Sequence, residues 1–203
     1  TLPYVEEFDN GIPECWIQEN IAGNTSWTSD NSSLVYNTTN NDTTSSRIVL
    51  TPFEFADSVN ATIKIKLNNT PSAEQSNGRL TLYYKTGNNS EWKYLQHYMA
   101  NTNSEVIAVL PEVSKFYLIS LVAESYSANK ISIDQISIET YNYADGLIIA
   151  SSTDGNGTIS PNGVNTYAWG DNISYTLMPN EGYEIDSLYI DGKNIAFEGN
   201  THE

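Results

Sequence analysis

The stretch Ile131-Ser132-Ile133-Asp134-Gln135-Ile136-Ser137-Ile138-Glu139 decides the fold class of this chain. Its apolar and polar residues alternate, which marks a half-buried strand, and one acid sits in its middle. The chain opens on a second acidic strand, Tyr4-Val5-Glu6-Glu7-Phe8-Asp9. A first and a last strand that both carry acids can lie side by side and close a β-sandwich, with room for a calcium ion. Beyond this stretch the texture of the sequence changes, so it also marks where one β-rich unit ends and another begins.

The same alternation recurs upstream. Ala61-Thr62-Ile63-Lys64-Ile65-Lys66-Leu67 puts Ile63, Ile65 and Leu67 on one face. Arg79-Leu80-Thr81-Leu82-Tyr83-Tyr84-Lys85 does the same with Leu80, Leu82 and Tyr84. Turn clusters at Asn68-Asn69-Thr70-Pro71 and Gly87-Asn88-Asn89-Ser90 separate such runs. Further strands are expected at 93–98, 105–110 and 116–123. Residues 23–46 are dense in Asn, Thr and Ser, and read as long loops around Trp27 and a short strand, Leu34-Val35-Tyr36. No segment holds a helical period. Short strands with polar turns indicate an all-β sandwich.

Composition narrows the function classes. The chain has 203 residues, of which 39% are hydrophobic and 17% charged, enough apolar content for a core and too little charge for a disordered polyelectrolyte. The net charge is −16. An acidic surface repels phosphate backbones and anionic lipid, so nucleic acid and membrane insertion are not expected. No apolar run approaches the ~18–20 residues that span a bilayer. The single cysteine, Cys15, permits no intrachain disulfide and reads as a buried thiol. The start at Thr1, without a signal segment, reads as that of a mature or trimmed exported protein.

From about residue 146 the chain is richer in glycine turns: Asp154-Gly155-Asn156-Gly157, Trp169-Gly170-Asp171 and the hairpin turn Asp191-Gly192. Two units follow, 1–140 and 146–203.

The order of pieces in the first unit resembles the cleaved-adhesin or MAM-like jelly-roll domains of Bacteroidetes surface proteins. These pieces are Phe8-Asp9, Ile12-Pro13-Glu14-Cys15-Trp16, Trp27, Ser46-Arg47-Ile48-Val49-Leu50-Thr51-Pro52, Leu80-Thr81-Leu82-Tyr83-Tyr84, Glu91-Trp92-Lys93-Tyr94-Leu95 and Ile133-Asp134-Gln135-Ile136-Ser137-Ile138. The second unit resembles a divergent internalin-type B repeat. It does so through Gly157-Thr158-Ile159-Ser160-Pro161, Trp169-Gly170-Asp171, Met178-Pro179-Asn180-Glu181-Gly182-Tyr183 and Leu188-Tyr189-Ile190-Asp191-Gly192. Such repeats continue with further strands, which implies an incomplete module here.

The first resemblance implies a calcium site on Asp9, a polar loop before Trp27, and Asp134, with Glu7 as a neighbouring alternative. Calcium wants six to eight oxygens. Two departures bear on it: the loop is Glu19-Asn20-Ile21-Ala22-Gly23-Asn24, and Gln135 follows Asp134 where the family pairs two acids. The competing reading has Asp9 and Asp134 merely facing solvent. Tyr83, Tyr84, Trp92, Tyr94 and Tyr98, with Tyr126 in a loop as a further candidate, could form a platform for sugar rings; ordinary sandwich packing is the alternative. No nucleophile, acid/base pair or phosphate loop stands out, and His97 has no partner signature. The expectation is an all-β chain, a jelly-roll sandwich followed by a small β-rich repeat module. It is expected to be a monomeric, non-catalytic adhesion or recognition module of a secreted or surface-anchored bacterial protein. Its partner would be a glycan or a host or other extracellular protein. A spacer attached to a secreted peptidase or glycoside hydrolase is the competing class.

Overall fold

The computed structural model describes residues 3–39, 43–69, 78–126, 128–141, 147–153, 156–168, 170–191, 193–196 and 201–202. Strands β1 to β6 span Tyr4–Glu6, Ile17–Ala22, Thr28–Asp30, Ser33–Thr38, Thr44–Val49 and Phe53–Leu67. Strands β7 to β11 span Gly78–Lys85, Lys93–Met99, Glu105–Val109, Ser114–Ser125 and Asn129–Tyr141. Strands β12 to β18 are short: Leu147–Ser151, Gly157–Ser160, Gly163–Tyr167, Tyr175–Pro179, Leu188–Ile190, Lys193–Ile195 and Thr201–His202. The described residues contain no helix.

Strands β1 to β11 fold into two antiparallel layers. The back layer has β11 near its middle. One edge of β11 takes β4 and then β1, and the other takes β6, with β9 beyond β6 and β3 beyond β4. The front layer runs β2-β5-β10-β7-β8. Strand β6 joins the two. Its start, at Phe53 and Glu54, pairs with β10 in line with β5, and its second half pairs with β11 and β9. Alternation then fills the space between the layers. Leu34, Ile63, Ile65, Ile131, Ile133, Ile136 and Ile138 face Ile48, Leu80, Leu82, Ile119 and Leu121 in one core cluster.

The first and last strands do lie side by side, with Tyr4 opposite Ile138 and Glu6 opposite Ile136. The alternation of β11 is not continuous, however. Its core residues step 131, 133, 136, 138, and its pairing with β6 slips between Ile133 and Gln135. Asp134 is the extra residue of a β-bulge, which resets the phase so that both isoleucine pairs face inward.

Several expectations are corrected. The expected strand at 34–36 is the middle of β4, but residues 23–46 also hold β3 and the start of β5, because Ser, Thr and Asn side chains pair well on strands whose polar groups are satisfied. The β3–β4 turn places Asn31 and Ser32 at φ 50° and 56°, the left-handed pair of a tight hairpin. Strand β6 begins at Phe53, well before residue 61. Cys15 is exposed, not buried: it sits in a turn with its Sγ 2.9 Å from Thr51 Oγ1, and neighbouring Trp16 takes the interior position.

Beyond residue 147 the layers are small. Strand β12 pairs with β14, β13 with β15, β15 with β18, and β16 with β17. The boundary is expected at 140–146; β11 runs through Tyr141, and residues 142–146 lie outside the described residues. So do Pro71, Asp154, Gly155, Trp169 and Gly192 within the expected turns.

Ile65 is fully buried where the two layers meet. Ile65→Ala is expected to cost about 2–5 kcal/mol in urea unfolding. A loss below ~1 kcal/mol would mean that the inner faces do not pack there.

Candidate functional site

Two surfaces gather the expected site residues. The first is a polar pocket of about 510 Å³ at the β1–β11 junction, whose lining includes Glu7, Asp9, Asp30 and Asp134 with Lys66 and Lys130. Backbone geometry builds its rim. Phe8 sits at φ 58°, which is strained for a residue with a side chain. Its amide donates to Glu6 Oε1 at 2.9 Å, and its ring is buried against Trp16. That turn sends Glu7 and Asp9 outward while the ring goes in.

The structure thus brings Glu7, Asp9 and Asp134 to one pocket. Among the described residues, two of their six carboxylate oxygens accept hydrogen bonds from protein side chains. Asp134 Oδ1 accepts from Ser33 Oγ at 2.8 Å and from Asn68 Nδ2 at 3.3 Å. Glu7 Oε1 accepts from Gln135 Nε2 at 2.9 Å. Two lysines share the space, and among the described residues no three acid, histidine or cysteine side chains converge to hold a metal. This donor set does not make a calcium cage, which needs six or more oxygens with several carboxylates.

The second surface is the outer face of the front layer. Register puts Val49, Ser120, Tyr83 and Tyr94 in one cross-strand row, and Arg47, Val122, Thr81 and His97 in the next. Their neighbours Ile48, Leu80, Leu82, Ile119 and Leu121 point the other way, into the core. The rings form a continuous strip. Tyr83 and Tyr94 stack edge-on at 6.2 Å, His97 follows at 6.2 Å from Tyr94, and Tyr189 of β16 meets His97 at 5.8 Å. At the other end the Arg47 guanidinium lies 6.0 Å from the Tyr83 ring and 5.4 Å from Trp92, and Lys85 Nζ is 4.7 Å from Trp92.

Of the six aromatics expected from sequence, Tyr83, Trp92 and Tyr94 lie in this strip, while Tyr98 packs into the core. Tyr84 is not in the strip either: alternation turns it into the core, 4% exposed, where its hydroxyl donates to Glu112 Oε1 at 2.8 Å. Tyr126 is exposed at the end of β10 and makes no ring contact among the described residues. Trp16 and Trp27 are buried. Sequence reasoning missed Arg47, His97 and Tyr189 as members of the strip. The pairing of β7 with β8 was the signal for His97; nothing local signalled Tyr189.

His97 is half-buried. Burial lowers its pKa, as does the positive charge of Arg79, while Glu124 opposes them. Burial raises the pKa of Tyr94, so that hydroxyl keeps its proton. Its oxygen lies 2.7 Å from His97 Nδ1, a hydrogen bond whose donor is set by the imidazole tautomer.

No protein-family profile matches the chain, and no curated protein matches it. Solved structures do. A cleaved adhesin domain of Lys-gingipain from Porphyromonas gingivalis matches with a TM-score of 0.52 and 14% identity, covering 70% of this chain and all of that one. A second cleaved adhesin domain of Lys-gingipain matches at a TM-score of 0.47 and 15% identity, covering 66% and 97%. A carbohydrate-binding module solved with beta-1,4-galactotriose matches at 0.47 and 8% identity, covering 67% and 95%. The first of these likenesses establishes a shared all-β sandwich fold. None of the matches supports the internalin-type resemblance of the second unit. Among the described residues no helix is long and apolar enough to cross a membrane.

Two measurements test the chemistry of these surfaces. The melting temperature is expected to stay within about 1 °C between chelator and millimolar calcium, because a bound ion would stabilise through linkage. A rise of several degrees would return Asp9, Asp134 and Glu7 to the metal ligands. The second concerns pH. A histidine with a lowered folded pKa leaves the unfolded chain to take up its proton first, so stability falls as pH drops below the ordinary value of 6.5. His97→Gln is expected to flatten the melting temperature between about pH 7 and pH 5 relative to the parent. Glu112, whose pKa is lowered chiefly by its hydrogen bonds to Lys93 and Tyr84, keeps its full contribution throughout this range and loses it only as pH falls below its ordinary 4.5. Parallel curves for parent and variant would show that His97 is not the group responsible.

Proposed function

We propose that this chain is a non-catalytic glycan-recognition module of an exported protein, and that its binding surface is the outer face of the front layer. One observation carries this reading: Trp92, Tyr83 and Tyr94 form an aromatic surface on an antiparallel sheet, open to solvent, instead of being absorbed in the core. Tyr94 is 42% exposed. Pyranose rings have apolar C–H faces, and flat aromatic rings on a rigid sheet bind them with little ordering cost. Hydroxyls of the sugar would meet the polar residues between the rings. The sandwich core fixes the ring spacing, which suits recognition of a chain of sugars over a single pocketed one.

The likeness to a cleaved adhesin domain supports an adhesive sandwich through the fold alone. A bare spacer beside a secreted hydrolase has no use for exposed stacked rings at one face, so the spacer reading ranks second. No metal is assigned a part.

Tyr83→Ala and Trp92→Ala are each expected to weaken binding of the best oligosaccharide from a glycan array by about tenfold, which corresponds to ~1.4 kcal/mol. Isothermal titration checks the affinity, and a melting curve checks that each variant stays folded. Affinity unchanged in both folded variants would move the binding surface elsewhere.

A further inference from the structure

The aromatic face also gathers positive charge on a chain whose net charge is −16. Both arginines of the chain, Arg47 and Arg79, project from it, together with Lys85. Their compensation is unequal. Arg79 is closely paired with Glu124. Arg47 reaches Glu19 Oε2 at 3.2 Å through one terminal nitrogen, but the Glu19 side chain is 60% exposed and stays mostly hydrated. Lys85 has no carboxylate within ion-pair distance among the described residues. Arg47 and Lys85 thus flank one indole, Trp92, with a single solvated acid to answer two cations.

Hydrogen-bonding capacity is left over at the same place. Arg47 Nε and Ser120 Oγ are buried and have no partner among the described residues. Ser120 pairs directly with Tyr83 across the strands and faces away from the core. The terminal nitrogens of a guanidinium beside a second cation suit a planar carboxylate, which a guanidinium can hold through two parallel N–H bonds.

Resting on the glycan reading above, we propose that the ligand is an acidic glycan built of uronic acid units. One sugar ring stacks on Tyr83 and Trp92, and its carboxylate lies between Arg47 and Lys85. Screening at physiological salt limits the repulsion from distant acids to about 8 Å, whereas the two cations act at contact.

The test uses the whole chain and oligomers of galacturonate, mannuronate, guluronate and glucuronate, each compared with its methyl ester and with neutral galactan and xylan. Esterification removes the charge and keeps the ring. At least one free acid is expected to bind about tenfold more tightly than its ester, and Lys85→Gln is expected to bring that ratio within about threefold. Lys85 lies on the surface, so the variant's melting curve should match that of the parent. Equal binding of acid and ester, or binding of neutral glycans alone, overturns the acidic ligand and leaves the glycan reading standing. Binding of none of these glycans overturns both. A ratio unaffected by Lys85→Gln removes this face as the source of the selectivity.

Discussion

The single extra residue in β11 is the constraint on which the back layer depends. β11 must pair with β4 and β1 along one edge and with β6 along the other, while keeping four isoleucines in the core. A strict alternation cannot do this, because the sequence places three residues' step between Ile133 and Ile136. A one-residue slip of register would turn every later side chain to the wrong face. The bulge at Asp134 absorbs the mismatch. It also aims Asp134 toward Ser33 and Asn68, and Gln135 toward Glu7, which fixes the pocket at the β1–β11 junction. The acid that looked like a metal ligand serves first to seat the strand.

The front layer obeys a different logic, and magnitudes separate the two. Burial of Ile65 or Leu82 in the core is worth about 1.5–3 kcal/mol per side chain. The surface pair of Arg47 and Glu19 is worth at most ~1 kcal/mol, and an exposed cation over a ring about as much. Leaving Arg47 Nε buried without a partner costs ~1–3 kcal/mol. The cluster of Arg47, Tyr83, Trp92 and Lys85 therefore adds little to stability on balance. An arrangement of that kind on a rigid sheet is explained better by what it meets from outside.

Much of this was legible in the chain. The alternating runs at 61–67 and 79–85 gave strands and inward faces, since apolar burial dominates there. The three-residue step in β11 was visible as well, but only the need to serve two neighbours gives it meaning. The polar strand β3 and the start of β5 were hidden because Asn, Ser and Thr favour turns as readily as edges. Tyr83 and Tyr84 stand side by side in sequence, and pairing alone decides which of them reaches solvent. Arg47 joined the site through the length of its side chain crossing two strands, a relation that no local pattern encodes.

The small strands beyond residue 147 depend on the larger layers. Leu177 is the one buried hydrophobic residue among the described part of this region, so β12 to β18 have little core of their own. Two- and three-stranded pieces of that size are marginal in isolation. β12 and β14 lie against β9, the outer strand of the back layer, and Tyr189 meets His97 on β8, the outer strand of the front layer. Free strand edges invite unwanted pairing, and cover by another element removes that hazard. The same contact places Tyr189 at the end of the aromatic strip. The second region therefore shields the open side of the sandwich and extends the proposed binding surface through one tyrosine.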